Sequence, residues 1–115
     1  ESMKKYPDTP MCNSRDAEKD DKLYRPAPSA GKLEYASPIQ AESLAGLPAA
    51  YIETVEFDCL RDGGILYAER LRKFGVPVEL HNTEETMHGF DIVLDSPIVR
   101  NCVDRRTAFL KKIFS

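Results

Sequence analysis

Apolar residues are unevenly placed along this chain. Over residues 1–47 they are too sparse to hold a helical or a strand period, and Pro, Ser, Asp, Lys and Ala dominate. That pattern predicts a loop-rich segment. Within it Arg15-Asp-Ala-Glu-Lys-Asp-Asp-Lys22 is a solvated charge cluster with room for one or two exposed helical turns, and Arg25-Pro-Ala-Pro28 forces extended backbone. About 45 residues with so little pattern exceed the loop lengths found inside compact domains, so the segment is expected to rest on something else.

After Pro48 the character changes. Ala49-Ala-Tyr-Ile-Glu-Thr-Val-Glu56 is β-branched, aromatic and of strand length, which predicts a buried strand. Arg61-Asp-Gly-Gly64 then opens a segment whose apolar positions Ile65, Ala68, Leu71 and Phe74 recur every three residues until Gly75. This is the signature of an amphipathic helix with a glycine stop. Val76, Val78 and Leu80 alternate with polar neighbours and predict a second strand over Val76–Asn82, with Pro77 near its start, where a missing N–H costs least. Thr83–Phe90 reads as a polar loop. Ser96-Pro97 reads as an N-cap followed by proline at the first helical position, opening a long terminal helix. On that helix Val99, Cys102, Val103, Phe109, Leu110 and Ile113 form a core-facing stripe, while Arg100, Asp104, Arg105, Lys111 and Lys112 are expected to face water.

The second part, residues 48–115, is therefore an α/β unit of strand, helix, strand and helix, whose connection length implies parallel pairing with a right-handed crossover. Two parallel strands with flanking helices leave at least one strand edge unpaired and one sheet face uncovered, whereas parallel sheets are normally covered on both. The core is expected to be incomplete on its own and to be finished against a larger sheet, a partner or a second copy.

Composition narrows the options. At 115 residues and 42% hydrophobic content the chain is one globular domain's worth, with no apolar run long enough to span a bilayer. A net charge of -3 supplies no basic stripe, so nucleic acid is not an expected partner. Cys12, Cys59 and Cys102 are odd in number, widely spaced and without a CxxC or a nearby His, which predicts ordinary thiols instead of a disulfide framework or zinc site. The polar stretch Glu1–Tyr6 lacks the apolar run of a secretory signal, and a cytoplasmic location is expected.

Two polar residues stand just beyond the C-terminal ends of the predicted strands, where open α/β sheets hold their ligands. They are Asp58 in Glu56-Phe-Asp-Cys-Leu-Arg-Asp62 and His88 in Met87-His-Gly-Phe90. Parallel pairing places both loops on one edge, so the carboxylate can reach a ring nitrogen and fix its tautomer for general-base chemistry. Singly, Asp58 also suits a helix cap and His88 an exposed loop residue; the pair makes two-thirds of a catalytic triad. His81 falls on the polar side of its strand and reads as a surface residue. Arg61 and Asp62 suit the first turn of the helix, Asp62 at its positive end.

The blocks Gly46-Leu-Pro-Ala-Ala-Tyr-Ile-Glu-Thr-Val-Glu-Phe-Asp-Cys-Leu-Arg-Asp62, Tyr67-Ala-Glu-Arg-Leu-Arg-Lys-Phe-Gly-Val-Pro-Val-Glu-Leu80 and His88-Gly-Phe90 occur in that order and spacing. From about Ser37 to Phe90 the chain resembles the C-terminal part of the hormone-sensitive-lipase-like esterases of the α/β-hydrolase fold. The resemblance implies that Asp58, in the D-x-L-R-D block, is the triad acid and that His88, in the H-G-F block, is the triad base. Ser37-Pro-Ile corresponds to the S-P-L/I stretch ahead of the G-L-P turn. Cys59 stands where proline is common, Gly63 replaces a usual acidic residue, and Thr83-Glu-Glu-Thr86 lacks the more usual aromatic and glycine.

Such esterases carry a G-x-S-x-G elbow for the nucleophile and an H-G-G-G stretch for the oxyanion, and neither occurs in these 115 residues. Ala27-Pro-Ser-Ala-Gly31 imitates the elbow, but Ser29 has no buried strand before it and a proline directly beside it. Cys59 beside a carboxylate and Cys102 on an apolar helix stripe are no better as nucleophiles. The resemblance thus implies the C-terminal segment of a serine ester hydrolase acting on small-molecule esters, in which Met3, Tyr6 and Met11 would line an acyl pocket or simply pack, packing being the safer expectation. It would be inactive alone, need no metal or organic cofactor, and be completed by the N-terminal part of the hydrolase. A noncatalytic, self-associating interaction module is the alternative. A phospho-receiver domain built on Asp20, Asp21, Asp58, Thr86 and Lys111 fits less well, because Asp20 and Asp21 lie in a charged stretch and Lys111 late in a helix.

Overall fold

Two parallel strands, β1 (Ala50–Phe57) and β2 (Val78–Met87), form the sheet, and α4 (Arg61–Lys73) is the crossover between them. In the computed structural model, which describes residues 1–24 and 33–115, four short elements precede them. These are α1 (Ser2–Lys5), α2 (Ser14–Tyr24), α3 (Leu33–Ala36) and a 3-10 turn at Pro38–Gln40. A second 3-10 turn, Phe90–Ile92, and the terminal helix α5 (Pro97–Phe114) follow β2. Arg25–Pro28 and Ser29, singled out above, lie outside the described residues. No described helix is long and apolar enough to cross a membrane.

The loop-rich expectation understated the helix content near the start: Arg15–Lys22 is part of an 11-residue helix, more than two turns. The first turn is secured by Asn13, whose side-chain oxygen accepts from Asp16 N at 3.0 Å, while Lys19 pairs with Asp16 at 3.1 Å. The charge cluster supplies its own local bonds, a feature that hydrophobic periodicity does not register.

Helix α4 ends as its sequence predicts. Gly75 adopts a left-handed φ of 78°, Gly75 N–H donates to Arg72 O at 3.0 Å, and Val76 N–H donates to Leu71 O at 3.1 Å. This is the double bond of a Schellman cap, and its hydrophobic contact is also present, since Leu71 and Val76 share a buried cluster with Leu44. Ala50, Ile52 and Val78 of the sheet and Tyr67 and Phe74 of the helix pack around that cluster. Consequently α4 is fastened to one face of β1 before the chain returns as β2.

The opposite face meets α5. Tyr51 on β1 packs against Phe109 with ring centroids 5.3 Å apart, Arg106 bonds to Glu53, and Cys102 lies 3.8 Å from the Thr83 hydroxyl. Both faces therefore meet a helix, where one was expected bare, but the cover is partial. Val99 and Cys102 are buried, whereas Val103, Leu110 and Ile113 of the predicted stripe are exposed. Arg105, expected in water, is half-buried with its guanidinium 3.2 Å from Cys102 Sγ. The radius of gyration, 15.7 Å, exceeds the about 13 Å of a compact domain this long, and the shape is a slab of 46 × 37 × 21 Å. An α/β unit with an incomplete core is what these dimensions describe.

Strand β2 runs five residues beyond its expected end at Asn82. Register is regular from Ala50↔Val78 to Val55↔Thr83, then jumps so that Phe57 faces Met87. Glu85 takes a left-handed φ of 56° within the irregularity, and its N–H donates to Glu56 Oε2 at 2.8 Å. Thr86 Oγ1 donates to Thr83 O at 2.7 Å. A side-chain acceptor on Glu56 and a side-chain donor on Thr86 thus hold a bulged extension that no apolar alternation marks.

Candidate active site

The site begins where the two strands end. Asp58 directly follows β1 and His88 directly follows β2, and parallel pairing brings both turns to the same sheet edge. Asp58 Oδ2 lies 2.8 Å from His88 Nδ1, and Asp58 Oδ1 accepts from Leu60 N–H at 2.8 Å. Both carboxylate oxygens are therefore engaged, and the residue is only 6% exposed. The His88 side chain is 47% exposed by contrast. With Nδ1 as donor to the carboxylate, the neutral imidazole keeps Nε2 as an acceptor, the state from which it can take a proton.

Each turn is held by its surroundings. The α4 N-cap position, Leu60, offers no side-chain acceptor. Instead Ser2 supplies one from 60 residues away: its hydroxyl accepts from Asp62 N–H at 3.2 Å and donates to Cys59 O at 2.7 Å. Asp62 Oδ2 in turn accepts from Ser2 N–H at 2.5 Å, and Arg61 bonds to Oδ1 at 2.9 Å. These bonds, that from Ser2 first, hold the Asp62 carboxyl well below the usual carboxylate range. Tyr6 packs edge-on against Phe57 at the end of β1, with centroids 6.2 Å apart.

On the other side, Gly89 has a left-handed φ of 74°, turning the chain directly after His88. A Cβ at Gly89 would sit 3.2 Å from Met11 Cε, so the residue 10–13 segment lies against the His88 turn. Just past it, Arg106 of α5 donates to Asp91 at 3.0 Å and, through Nε at 2.7 Å, to Glu53 of β1. One guanidinium therefore ties α5, the sheet and the turn after His88 together. Both carboxylates raise the Arg106 pKa, Glu53 more than Asp91.

Among the described residues, one cluster has donors spaced for a metal ion: the Cys12, Asp58 and Cys59 ligand atoms lie within 4.8 Å of one another. Cys12 Sγ and Cys59 Sγ are 3.6 Å apart. Burial pushes Cys59 up to about 12, with Cys12 and Asp58 adding, and burial also raises Cys12. A cation there must displace two thiol protons from groups that burial holds protonated, so this is first of all a neutral thiol pair beside a carboxylate.

Sequence reasoning singled out Asp58 and His88, and the structure brings them into contact. It did not single out Ser2, the Cys12–Cys59 contact or Arg106, all of which act across long sequence separations. His81 is half-buried, not fully at the surface: its Nε2 lies 2.8 Å from Glu79 and its ring stacks on Tyr51 at 5.4 Å. Of the three residues considered for an acyl pocket, Tyr6 is buried in packing, whereas Met11 is 67% exposed beside the His88 turn.

Comparison with known proteins identifies the family. A family profile described as alpha/beta hydrolase fold matches residues 1–92. Esterase LipI of Mycobacterium tuberculosis is 52% identical over 54 residues, 47% of this chain and 17% of that protein. Carboxylesterase NlhH of the same species is 44% identical over 70 residues, 60% of this chain and 22% of that protein. Among solved structures, a bacterial heroin esterase superposes with a TM-score of 0.84 at 35% identity, covering 99% of this chain and 38% of that one. Esterase LipW from Mycobacterium marinum gives 0.89 at 29% identity, covering 98% and 36%. The chain thus spans about a fifth of these curated relatives and little more than a third of these structures.

Proposed function

The chain belongs to the α/β-hydrolase fold family, and from that premise we propose that it is the C-terminal segment of a serine carboxylic-ester hydrolase, with Asp58 as triad acid and His88 as triad base. The observation that carries the reading is the 2.8 Å contact between Asp58 and His88 Nδ1 at the C-terminal edge of two parallel strands. The esterases among the relatives support the same chemistry.

In this mechanism a serine from the N-terminal part of the hydrolase attacks the ester carbonyl. His88 Nε2 takes the hydroxyl proton and returns it to the leaving alcohol, while Asp58 holds the ring in one tautomer and stabilises the imidazolium that forms. The oxyanion donors come from the same N-terminal part. An acid and a base without nucleophile or oxyanion donors have no covalent intermediate to form, so the 115 residues alone are inert. The exposed apolar residues Leu23, Tyr24, Leu33, Leu94 and Phe114 support docking against that missing part, on which residues 1–47 would complete their packing while residues 48–115 supply the end of the sheet.

Assaying the chain on a chromogenic short-chain ester, alone and co-expressed with the N-terminal part of its hydrolase, tests this. No turnover alone and turnover on co-expression is the expected result. Turnover by the isolated chain would overturn the division of the triad. Stable self-association with no restoration on co-expression would favour the interaction module.

A further inference from the structure

Cys12 and Cys59 are 47 positions apart, yet their sulfurs touch at 3.6 Å. Cys59 is the residue after Asp58 and is 1% exposed, whereas Cys12 is only partly covered and lies in a turn outside any helix or strand. The turn is bonded to itself, Cys12 N–H donating to Pro10 O at 2.8 Å and Thr9 Oγ1 to Cys12 O at 2.5 Å. It is attached to the sheet edge chiefly through side chains: Cys12 against Cys59 on the Asp58 turn, and Met11 against Gly89 on the His88 turn.

We propose that Cys12 and Cys59 form a reversible disulfide that ties the residue 10–13 segment to the Asp58 turn and lowers hydrolysis while it is closed. The bond itself does not depend on the esterase reading; its effect on turnover does. Cys12, the accessible thiol, attacks one sulfur of a small disulfide such as oxidised glutathione, breaking that S–S bond and releasing one glutathione thiol. Cys59 then attacks the Cys12 sulfur and releases the second. Two protein thiols lose their hydrogens and one glutathione disulfide gains them.

Closure requires the sulfurs to approach from 3.6 Å to about 2.05 Å. A shift of the residue 10–13 segment or of the Asp58 turn brings them together, and the first presses on the His88 turn while the second carries the triad acid. Movement of that size misplaces the Asp58–His88 pair. Because burial raises both thiols, few thiolates exist near neutrality and exchange is slow, so the end state is the quantity to measure.

The reduced full-length hydrolase is equilibrated with oxidised glutathione in the presence of a chelator, then divided for peptide mapping and ester turnover. A linked Cys12–Cys59 peptide pair, two hydrogens lighter than the separate peptides, is expected. Turnover should fall about tenfold or more, recover with dithiothreitol, and stay unchanged by oxidation in Cys12→Ser. Recovery of both thiols unlinked overturns the proposal, and linkage with undiminished turnover overturns the control over Asp58. A reduced protein without any activity sinks the esterase reading instead, while the peptide map still decides the bond.

Discussion

Alanine at two adjacent glycines of α4 should have opposite effects on stability. A Cβ built on Gly63 meets nothing within 4 Å, whereas one on Gly64 would lie 2.7 Å from Thr54 Cγ2. Carbon atoms pack at about 3.5–4.0 Å, so the helix or the strand must shift. Thr54 cannot simply swing aside: it is 7% exposed, β-branched, and its Oγ1 donates to Asn82 Oδ1 at 2.9 Å across the sheet. Replacing glycine by alanine inside a helix is worth about 0.8–1.0 kcal/mol, and both variants gain it. Overpacking costs about 1–3 kcal/mol and falls on Gly64→Ala alone. The difference between the two variants isolates that packing term, so Gly63→Ala should be the more stable by about 1–3 kcal/mol. Combining Gly64→Ala with Thr54→Ser removes the offending methyl, keeps the hydroxyl, and should recover most of the loss. Urea unfolding of the full-length protein, read as midpoint shifts at constant slope, measures all three. Equal stabilisation by both alanines would show that α4 does not approach β1 this closely. The placement of the Asp58 turn at the head of α4 would then need a different explanation.

Other consequences are as direct. Arg106→Met should destabilise the protein by about 1–3 kcal/mol, between the values for exposed and buried pairs; a double-mutant cycle with Glu53→Gln that finds no coupling would remove the clamp from the account. Asp62, whose carboxyl is depressed by Ser2 N–H and Arg61, stabilises the fold above its unfolded pKa of about 3.9 and loses that contribution as pH falls through its lower folded value. Asp62→Asn should therefore lower Tm at pH 7, with the gap to wild type closing below about pH 4; a gap that does not change with pH would contradict this.

What the sequence disclosed were features set by neighbours along the chain. The three-residue apolar spacing from Ile65 to Phe74 and the glycine stop at Gly75 located α4 to within a residue, the β-branched and aromatic run from Ala49 to Glu56 located β1, and alternation located the core of β2. Asp58 and His88 could be inferred because parallel pairing fixes which loops share an edge, whatever the packing details. The features not foreseen depend on contacts without local pattern. The extension of β2 rests on Glu56 and Thr86 side chains serving as backbone partners, and α2 on Asn13 and Asp16. Ser2 caps a helix that begins 59 positions later in the chain, and nothing around Ser2 announces it. Cys12 and Cys59 carry no spacing signal either, since the turn that brings them together is built from Thr9, Pro10 and Met11. The missing cover over Leu110, Ile113 and Phe114 was legible in outline, as a sheet too small for its helices.

If the proposed function holds, ester turnover by the full-length protein with Asp58→Asn and with His88→Ala is the most direct measure of whether these two side chains act as a unit. Each substitution should lower kcat by about 10³–10⁴-fold with KM little changed. Ester hydrolysis that continues at the parental rate without the imidazole of residue 88 would contradict the account.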